Sequence, residues 1–146
     1  MNDQMEIHFQ AAAQNEAFAR MVISAFLVRR DPVLSVMSEV RTAVSEAVTN
    51  AVVHAYGDQE EGKIVMRASV SDERIDIEVE DFGCGMEDVK KAMQPFYTTQ
   101  PEKERTGMGF VLMLSFMDKV DVRSAVGKGT LVRMQKYLGN GTQHAR

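Results

Sequence analysis

The sequence Glu46-Ala-Val-Thr-Asn50-Ala-Val-Val-His54 lies within a segment whose periodicity predicts a helix from about Ser35 to Tyr56, ending at Gly57. Glu46, Asn50 and His54 are each four residues apart, so a helix aligns them along its surface. The apolar positions beside them predict a buried face made of Val40, Ala43, Val44, Ala47, Val48, Ala51 and Ala55. Taken alone, a polar line beside an apolar stripe is typical of a solvated helix border.

Alternating apolar residues predict strands on both sides of this helix. Residues 5–10 predict a first strand, and residues 64–70 and 75–79 predict a hairpin that turns at residues 71–73. A second hairpin is predicted from Val120 and Val122 to the alternating residues 130–134, with its turn at residues 127–129.

Three further helices are predicted from apolar spacing. The first runs from residue 15 to 28, with Asn15 as its N-cap and Pro32 preventing continuation. A short helix is predicted at residues 87–93 and another at residues 110–117. Between them, residues 94–106 contain two prolines and mixed charges with no clear period, which predicts a long functional loop.

The order of these elements predicts the fold class. Consecutive strands joined by short turns favour a largely antiparallel sheet, and helices in two groups cover one of its faces. We therefore expect an α/β fold, a two-layer sandwich with a mostly antiparallel sheet. The 146 residues predict one domain over residues 1–138, followed by a frayed tail at 139–146.

Composition excludes several classes of function. The net charge is −4, and no cluster of Lys and Arg predicts a surface that follows phosphates, so direct nucleic-acid binding is not expected. The single cysteine, Cys84, cannot form an internal disulfide, and no apolar run is long enough to span a membrane. These features predict a cytoplasmic protein without a membrane segment.

Two glycine-containing loops follow the Glu46–Asn50 helix. Asp81-x-Gly83-x-Gly85 ends a predicted strand, and Gly107-x-Gly109 begins a predicted helix. Glycines allow close approach of the backbone to a ligand, and a helix N-terminus presents free N–H groups to phosphate. A carboxylate at the end of an apolar strand, such as Asp81, can accept a hydrogen bond from an exocyclic amine of a purine.

Other nucleotide-binding motifs are not supported. Gly57 to Lys63 has the spacing of a phosphate-binding Walker A loop, but Ile64 replaces the required Ser or Thr and the loop interior is acidic. The glycine-rich loop, Val-Ala-Ile-Lys and His-Arg-Asp motifs of eukaryotic-type protein kinases are absent from the sequence. A nucleotide in this protein would therefore bind by another route.

Four motifs occur together in one order: Glu46-x-x-x-Asn50, Asp81-x-Gly83-x-Gly85, Arg105-Thr-Gly107-Met-Gly109 and Gly127-Lys-Gly129-Thr130. This set resembles the N, G1 and G2 boxes and late threonine of the GHKL, or Bergerat-fold, ATP-binding superfamily. The segments Ser45-Glu-Ala-Val-Thr-Asn-Ala, Pro95-Phe-Tyr-Thr-Thr-x-Pro-Glu and Glu104-Arg-Thr-Gly-Met-Gly-Phe resemble one branch, the anti-sigma factor serine kinases, and most closely its sporulation members. The similarity covers residues 5–137.

The resemblance implies a role for each matched position. Asn50 would hold a Mg²⁺ ion that bridges the phosphates of ATP, Asp81 would accept from the adenine amino group, and Glu46 would be the general base. Arg105 would approach the γ-phosphate and spread its charge during transfer. The other implied nucleotide contacts are Gly83, Gly85 and Met86 around the base, Thr130 from the sheet, and Thr98, Thr99, Gly107, Met108 and Gly109 along the phosphates.

The resemblance also implies a function and partners. We expect a serine kinase that binds and inhibits a sporulation sigma factor and, with ATP, phosphorylates and inactivates an anti-anti-sigma factor, leaving ADP. A homodimer is implied. Two alternatives stay open: a histidine-kinase-type catalytic module, and a binding switch that uses ATP without phosphoryl transfer. His54 is expected at the pocket edge without a catalytic role, and the thiol of Cys84, in the first glycine-containing loop, is also expected to have no catalytic role.

Overall fold

The computed structural model describes residues 2–57, 61–94 and 109–139, and its framework is a five-stranded antiparallel sheet. The strands are β1 (Asp3–Gln10), β2 (Lys63–Val70), β3 (Arg74–Asp81), β4 (Lys119–Ala125) and β5 (Gly129–Tyr137). Their order across the sheet is β1-β2-β3-β5-β4, and each neighbouring pair is antiparallel. The prediction of a largely antiparallel sheet is confirmed.

Four α-helices accompany the sheet in the part of the chain that the structure describes: α1 (Asn15–Val28), α2 (Leu34–Asn50), α3 (Val89–Ala92) and α4 (Gly109–Phe116). One π-helical turn, Ala51–Ala55, continues α2. The prediction of a single regular helix to Tyr56 is therefore wrong over its last turn. None of the helices within residues 2–57, 61–94 and 109–139 has the length and apolar character of a membrane span.

The helices cover one face of the sheet. The side chains of Ile75, Ile77 and Val79 alternate toward that face and are at most 3% exposed. Asp81 continues the same alternation and is therefore buried on the helix-covered face, at 6% exposure. This two-layer arrangement confirms the predicted fold class and explains why a carboxylate lies under the helices.

Charged residues line the opposite, open face of the sheet. Arg67 on β2 pairs with Glu80 at 2.9 Å, and Arg133 on β5 pairs with Glu78 at 3.1 Å. Such partly exposed pairs contribute little to stability individually. They keep this face polar, so the apolar core forms only between the sheet and the helices.

The start of α1 differs from the prediction. Asn15 is the first helical residue, and its side-chain Nδ2 donates to the carbonyl oxygen of Gln10 at 2.8 Å. Gln14 occupies the N-cap position without a side-chain hydrogen bond to the helix. The assignment of Asn15 as N-cap is therefore wrong, because its side chain instead connects the start of α1 to the end of β1.

Candidate functional site

A cavity of about 650 Å³ lies between the C-terminal part of α2, the π-helical turn and the sheet. Its volume falls in the range of about 300 to 1,000 Å³ that small-molecule sites occupy. The lining residues used below are Asn50, His54, Asp81, Cys84, Gly85, Met86, Gly109 and Thr130. The cavity thus joins residues from four separate parts of the chain.

One end of the cavity is formed where α4 begins against α2. A Cβ atom at Gly109 would lie 3.2 Å from Oδ1 of Asn50 and 3.3 Å from Oε2 of Glu46. Because Gly109 has no side chain, the first residue of α4 lies directly against both polar groups. The spacing of Glu46 and Asn50, which predicted a shared helix face, therefore brings both to the same contact.

The side chain of Asn50 has a donor that no described residue uses. Its Nδ2 atom is buried and has no hydrogen-bond partner among the described residues. Buried amide nitrogens are nearly always hydrogen-bonded, because an unpaired one keeps its full desolvation cost. An unpaired amide that lines a cavity is consistent with a site that a polar ligand completes.

The loop after β3 is held against the π-helical turn by backbone atoms. The N–H of Cys84 donates to the carbonyl oxygen of Ala55 at 3.1 Å. At Gly83, a Cβ atom would lie 2.4 Å from that same oxygen, closer than any real contact. Since the last carbonyls of a helix lack partners within it, the loop satisfies one of them, and only glycine fits at position 83.

The other side of this loop packs on the β4–β5 turn. Gly85 has φ +75°, and a Cβ atom there would lie 2.1 Å from the carbonyl oxygen of Ala125. The N–H of Gly127 donates to the carbonyl oxygen of Cys84 at 2.7 Å. Gly85 is therefore required both for its left-handed backbone and for the close approach of the turn.

Asp81 and Thr130 form the inner end of the cavity. They are opposite each other in the β3–β5 register, at 6% and 8% exposure, and are the buried polar residues of the described ranges. Burial raises the pKa of the Asp81 carboxyl from 3.8 to about 6, although hydrogen bonds from the N–H groups of Gly83 and Thr130 oppose this rise. A desolvated carboxylate at the end of a cavity strongly favours a ligand that donates a hydrogen bond to it.

A hydroxyl outside the set of predicted site residues supports this end. Ser124 on β4 accepts from the N–H of Met86 at 2.8 Å and lies 2.8 Å from Oγ1 of Thr130. Ser124 pairs with Thr130 in the β4–β5 register, and this register is not fixed by the sequence alone.

Most of the predicted site residues that the structure describes meet at this cavity. Its lining includes Asn50, Asp81, Gly85, Met86, Gly109 and Thr130, whereas Gly83 supports the loop and Glu46 lies beside Gly109. Five predicted residues lie outside the described residues: Thr98, Thr99, Arg105, Gly107 and Met108. His54, which was expected at the pocket edge, lines the cavity, and so does Cys84.

Comparison with known proteins places the chain in a family. The model of the histidine kinase-like ATPase domain matches residues 9–136. The anti-sigma F factor of Caldanaerobacter subterraneus subsp. tengcongensis is 53% identical over 94% of this chain and 96% of that protein. The anti-sigma F factor of a Thermoanaerobacter species is 51% identical over 93% of this chain and 94% of its own length.

A solved structure supports the fold independently. The crystal structure of the RsbU and RsbW domains of a Mycobacterium tuberculosis protein superposes with a TM-score of 0.65 at 20% identity. The match covers 93% of this chain and 32% of that one, so this chain spans about a third of its length. The sequence matches, which agree with the geometry of the cavity and the order of its motifs, show the family. This chain belongs to the anti-sigma F factor family of histidine kinase-like ATPase domains.

Proposed function

We propose that the protein is an ATP-dependent serine kinase that also binds and inhibits a sigma factor. The observation that carries the proposal is the cavity itself, with Glu46 and Asn50 against Gly109 at one end and the buried Asp81–Thr130 pair at the other. This arrangement separates a site for an exocyclic amine from a site for phosphates, as an adenine nucleotide requires.

The adenine ring is assigned to the Asp81 end. The Asp81 carboxylate accepts hydrogen bonds, and the 6-amino group of adenine is a donor. The loop at Gly83 and Gly85 is fixed between the π-helical turn and the β4–β5 turn, and its position beside Met86 forms one side of the base pocket. The phosphates are then directed toward Asn50 and Gly109.

The residues present fit a Mg²⁺ ion shared with the phosphates. Asn50 lines the cavity and offers an amide oxygen, a ligand type suited to this hard cation. No group of three or more His, Cys, Asp or Glu residues within residues 2–57, 61–94 and 109–139 is arranged to hold a metal. When bound, the ion would neutralise phosphate charge, and Asn50 would hold it through its side-chain oxygen.

Glu46 is assigned as the general base that accepts the proton of the attacking serine hydroxyl. It lies one helical turn before Asn50 and beside Gly109, at the phosphate end of the cavity. Phosphoryl transfer depends mainly on positioning and charge stabilisation, so a base on a regular helix suits this role. The proposal keeps Arg105 as the group that approaches the γ-phosphate, with Thr98, Thr99, Gly107 and Met108 along the phosphates.

The partners follow from the relatives and the family resemblance. The similar proteins are named anti-sigma F factors, which supports a sigma factor as one partner. The serine substrate is assigned to an anti-anti-sigma factor, and the active form to a homodimer. Both assignments rest on the resemblance of residues 45–51, 95–102 and 104–110 to the anti-sigma factor serine kinases.

The test is phosphorylation of the candidate anti-anti-sigma factor with ATP and Mg²⁺. We expect phosphoserine on that partner, and we expect Glu46→Gln to lose transfer while retaining ATP and sigma factor binding. Glu39→Gln is the matched control, because Glu39 lies on the same helix but pairs with Lys136 at 3.5 Å. Phosphohistidine on the chain itself, or full transfer by Glu46→Gln, would contradict the proposal.

A further inference from the structure

We propose that Ser124 makes Thr130 a hydrogen-bond acceptor toward the cavity, and that this selects purines with an amino group over those with an oxo group at ring position 6. The inference rests on the proposed nucleotide site and names a residue that determines its specificity. Ser124 is not among the residues that line the cavity. It acts through Thr130 and is therefore a positioning residue.

The hydroxyl of Ser124 has three polar neighbours. It lies 2.8 Å from the N–H of Met86, 3.0 Å from the carbonyl oxygen of Gly129 and 2.8 Å from Oγ1 of Thr130. Each distance is within the range of a good hydrogen bond. The group joins the loop after β3 to the first two residues of β5.

One assignment of protons makes all three contacts hydrogen bonds at the same time. A hydroxyl has one proton and two acceptor lone pairs. The carbonyl oxygen of Gly129 can only accept, so Ser124 donates its proton there and accepts from the N–H of Met86. For the third contact also to be a hydrogen bond, Thr130 must donate its own hydroxyl proton to Ser124.

The consequence lies at the inner end of the cavity. With its proton directed to Ser124, Thr130 presents only lone pairs to a ligand. Asp81, opposite it in the register, has a pKa of about 6 and is also an acceptor at neutral pH. Two acceptors suit the 6-amino group of adenine, whereas a 6-oxo group would meet them with its own lone pairs and leave buried groups unpaired.

The probe is inosine triphosphate, which carries a 6-oxo group in place of the 6-amino group of ATP. Calorimetry with Mg²⁺ would measure the Kd of both nucleotides for the wild-type chain and for Ser124→Ala. The substitution frees the Thr130 hydroxyl to donate into the cavity, so we expect the ratio of the inosine to the adenosine Kd to fall roughly fivefold. Ser124→Thr keeps a hydroxyl and should retain the wild-type ratio.

A purely structural role would give a different result. Loss of the hydrogen bond from the N–H of Met86 would loosen the loop and weaken the binding of both nucleotides equally. The Kd ratio of Ser124→Ala would then equal that of the wild-type chain, and this result would overturn the inference. Thr130→Val provides a second arm. In that background Ser124→Ala should not change the ratio further, and a further change would show that Ser124 does not act through Thr130.

The outcomes also separate this inference from the proposed function. ATP binding by the wild-type chain with a Kd ratio that Ser124→Ala leaves unchanged would overturn the inference alone. Absence of ATP binding by the wild-type chain would overturn both the proposed function and the inference.

Discussion

Replacing Asp81 with Asn should stabilise the nucleotide-free protein. Burial raises the pKa of the Asp81 carboxyl from 3.8 to about 6, so keeping it ionised at neutral pH costs folding free energy. At about 1.4 kcal/mol per pH unit, this displacement corresponds to about 3 kcal/mol. An Asn side chain removes the charge and keeps an oxygen that accepts from the N–H of Gly83, 3.0 Å away in the native protein.

The sign of the effect follows from proton binding. Between pH 3.8 and about 6 the folded chain binds more protons at Asp81 than the unfolded chain does. The contribution of Asp81 to the free energy of unfolding therefore decreases as pH rises through this window, and it stays low above the window. The stabilising effect of Asp81→Asn should be fully present at pH 7 and should fade as pH falls toward 4.

Urea denaturation without nucleotide, at several pH values from 4 to 7.5, measures this difference. Asp76→Asn is the matched control, because Asp76 lies on the same strand but on the open face, paired with Arg74 at 3.0 Å. We expect it to change the free energy of unfolding by less than about 1 kcal/mol. Destabilisation by Asp81→Asn at pH 7, or a gain that does not vary with pH, would refute the reasoning. The same variant should lose ATP binding, since its oxygen accepts from the N–H of Gly83 and its NH2 group would face the 6-amino group of adenine as a second donor.

Three further substitutions test other parts of the site. Asn50→Ala should weaken Mg²⁺-dependent ATP binding more than tenfold by calorimetry. The melting temperature of the nucleotide-free protein should stay nearly unchanged, because the Nδ2 atom of Asn50 has no partner among the described residues. A large fall in that melting temperature would contradict this expectation. Gly85→Ala should destabilise the protein more than Gly127→Ala in urea denaturation. Gly85 and Gly127 have similar φ values of +75° and +77°, but of the two only Gly85 has a carbonyl oxygen, 2.1 Å away, where a Cβ atom would lie. Equal losses of stability would show that backbone strain alone matters. Tyr56→Phe should cost about 1 to 3 kcal/mol of unfolding free energy. The Tyr56 hydroxyl accepts from the N–H of Phe82 at 2.6 Å and donates to the carbonyl oxygen of Lys63 at 2.7 Å. A loss below about 0.5 kcal/mol would mean that water replaces these two hydrogen bonds.

The strands and the buried position of Asp81 could be predicted from sequence because both depend on alternation. The apolar residues Ile75, Ile77 and Val79 establish the buried face, and Asp81 follows in phase. In the same way the four-residue spacing of Glu46 and Asn50 requires only a regular helix. These two patterns depend on local backbone geometry and not on contacts with distant segments of the chain.

The π-helical turn at Ala51–Ala55 and the role of Ser124 could not be predicted in this way. The turn carries the apolar and small residues of an ordinary helix, and it lies where the loop at Gly83 approaches Ala55. Ser124 is one of many serines until the β4–β5 register places it beside Thr130. Both features arise from contacts between segments that are distant in the sequence.

The contacts that hold the loop after β3 determine which of its positions tolerate substitution. Its two backbone hydrogen bonds at position 84 use the N–H and the carbonyl oxygen of Cys84, groups that every residue except proline provides, and the Sγ atom of Cys84 adds a weak hydrogen bond to the carbonyl oxygen of His54 at 3.3 Å. Substitutions at position 84 can therefore accumulate without moving the loop, whereas at Gly83 and Gly85 any side chain collides with a carbonyl oxygen. The two glycines of the Asp-x-Gly-x-Gly motif thus mark positions that have no room for a side chain. A search for distant relatives should give weight to these glycines and none to the residue between them.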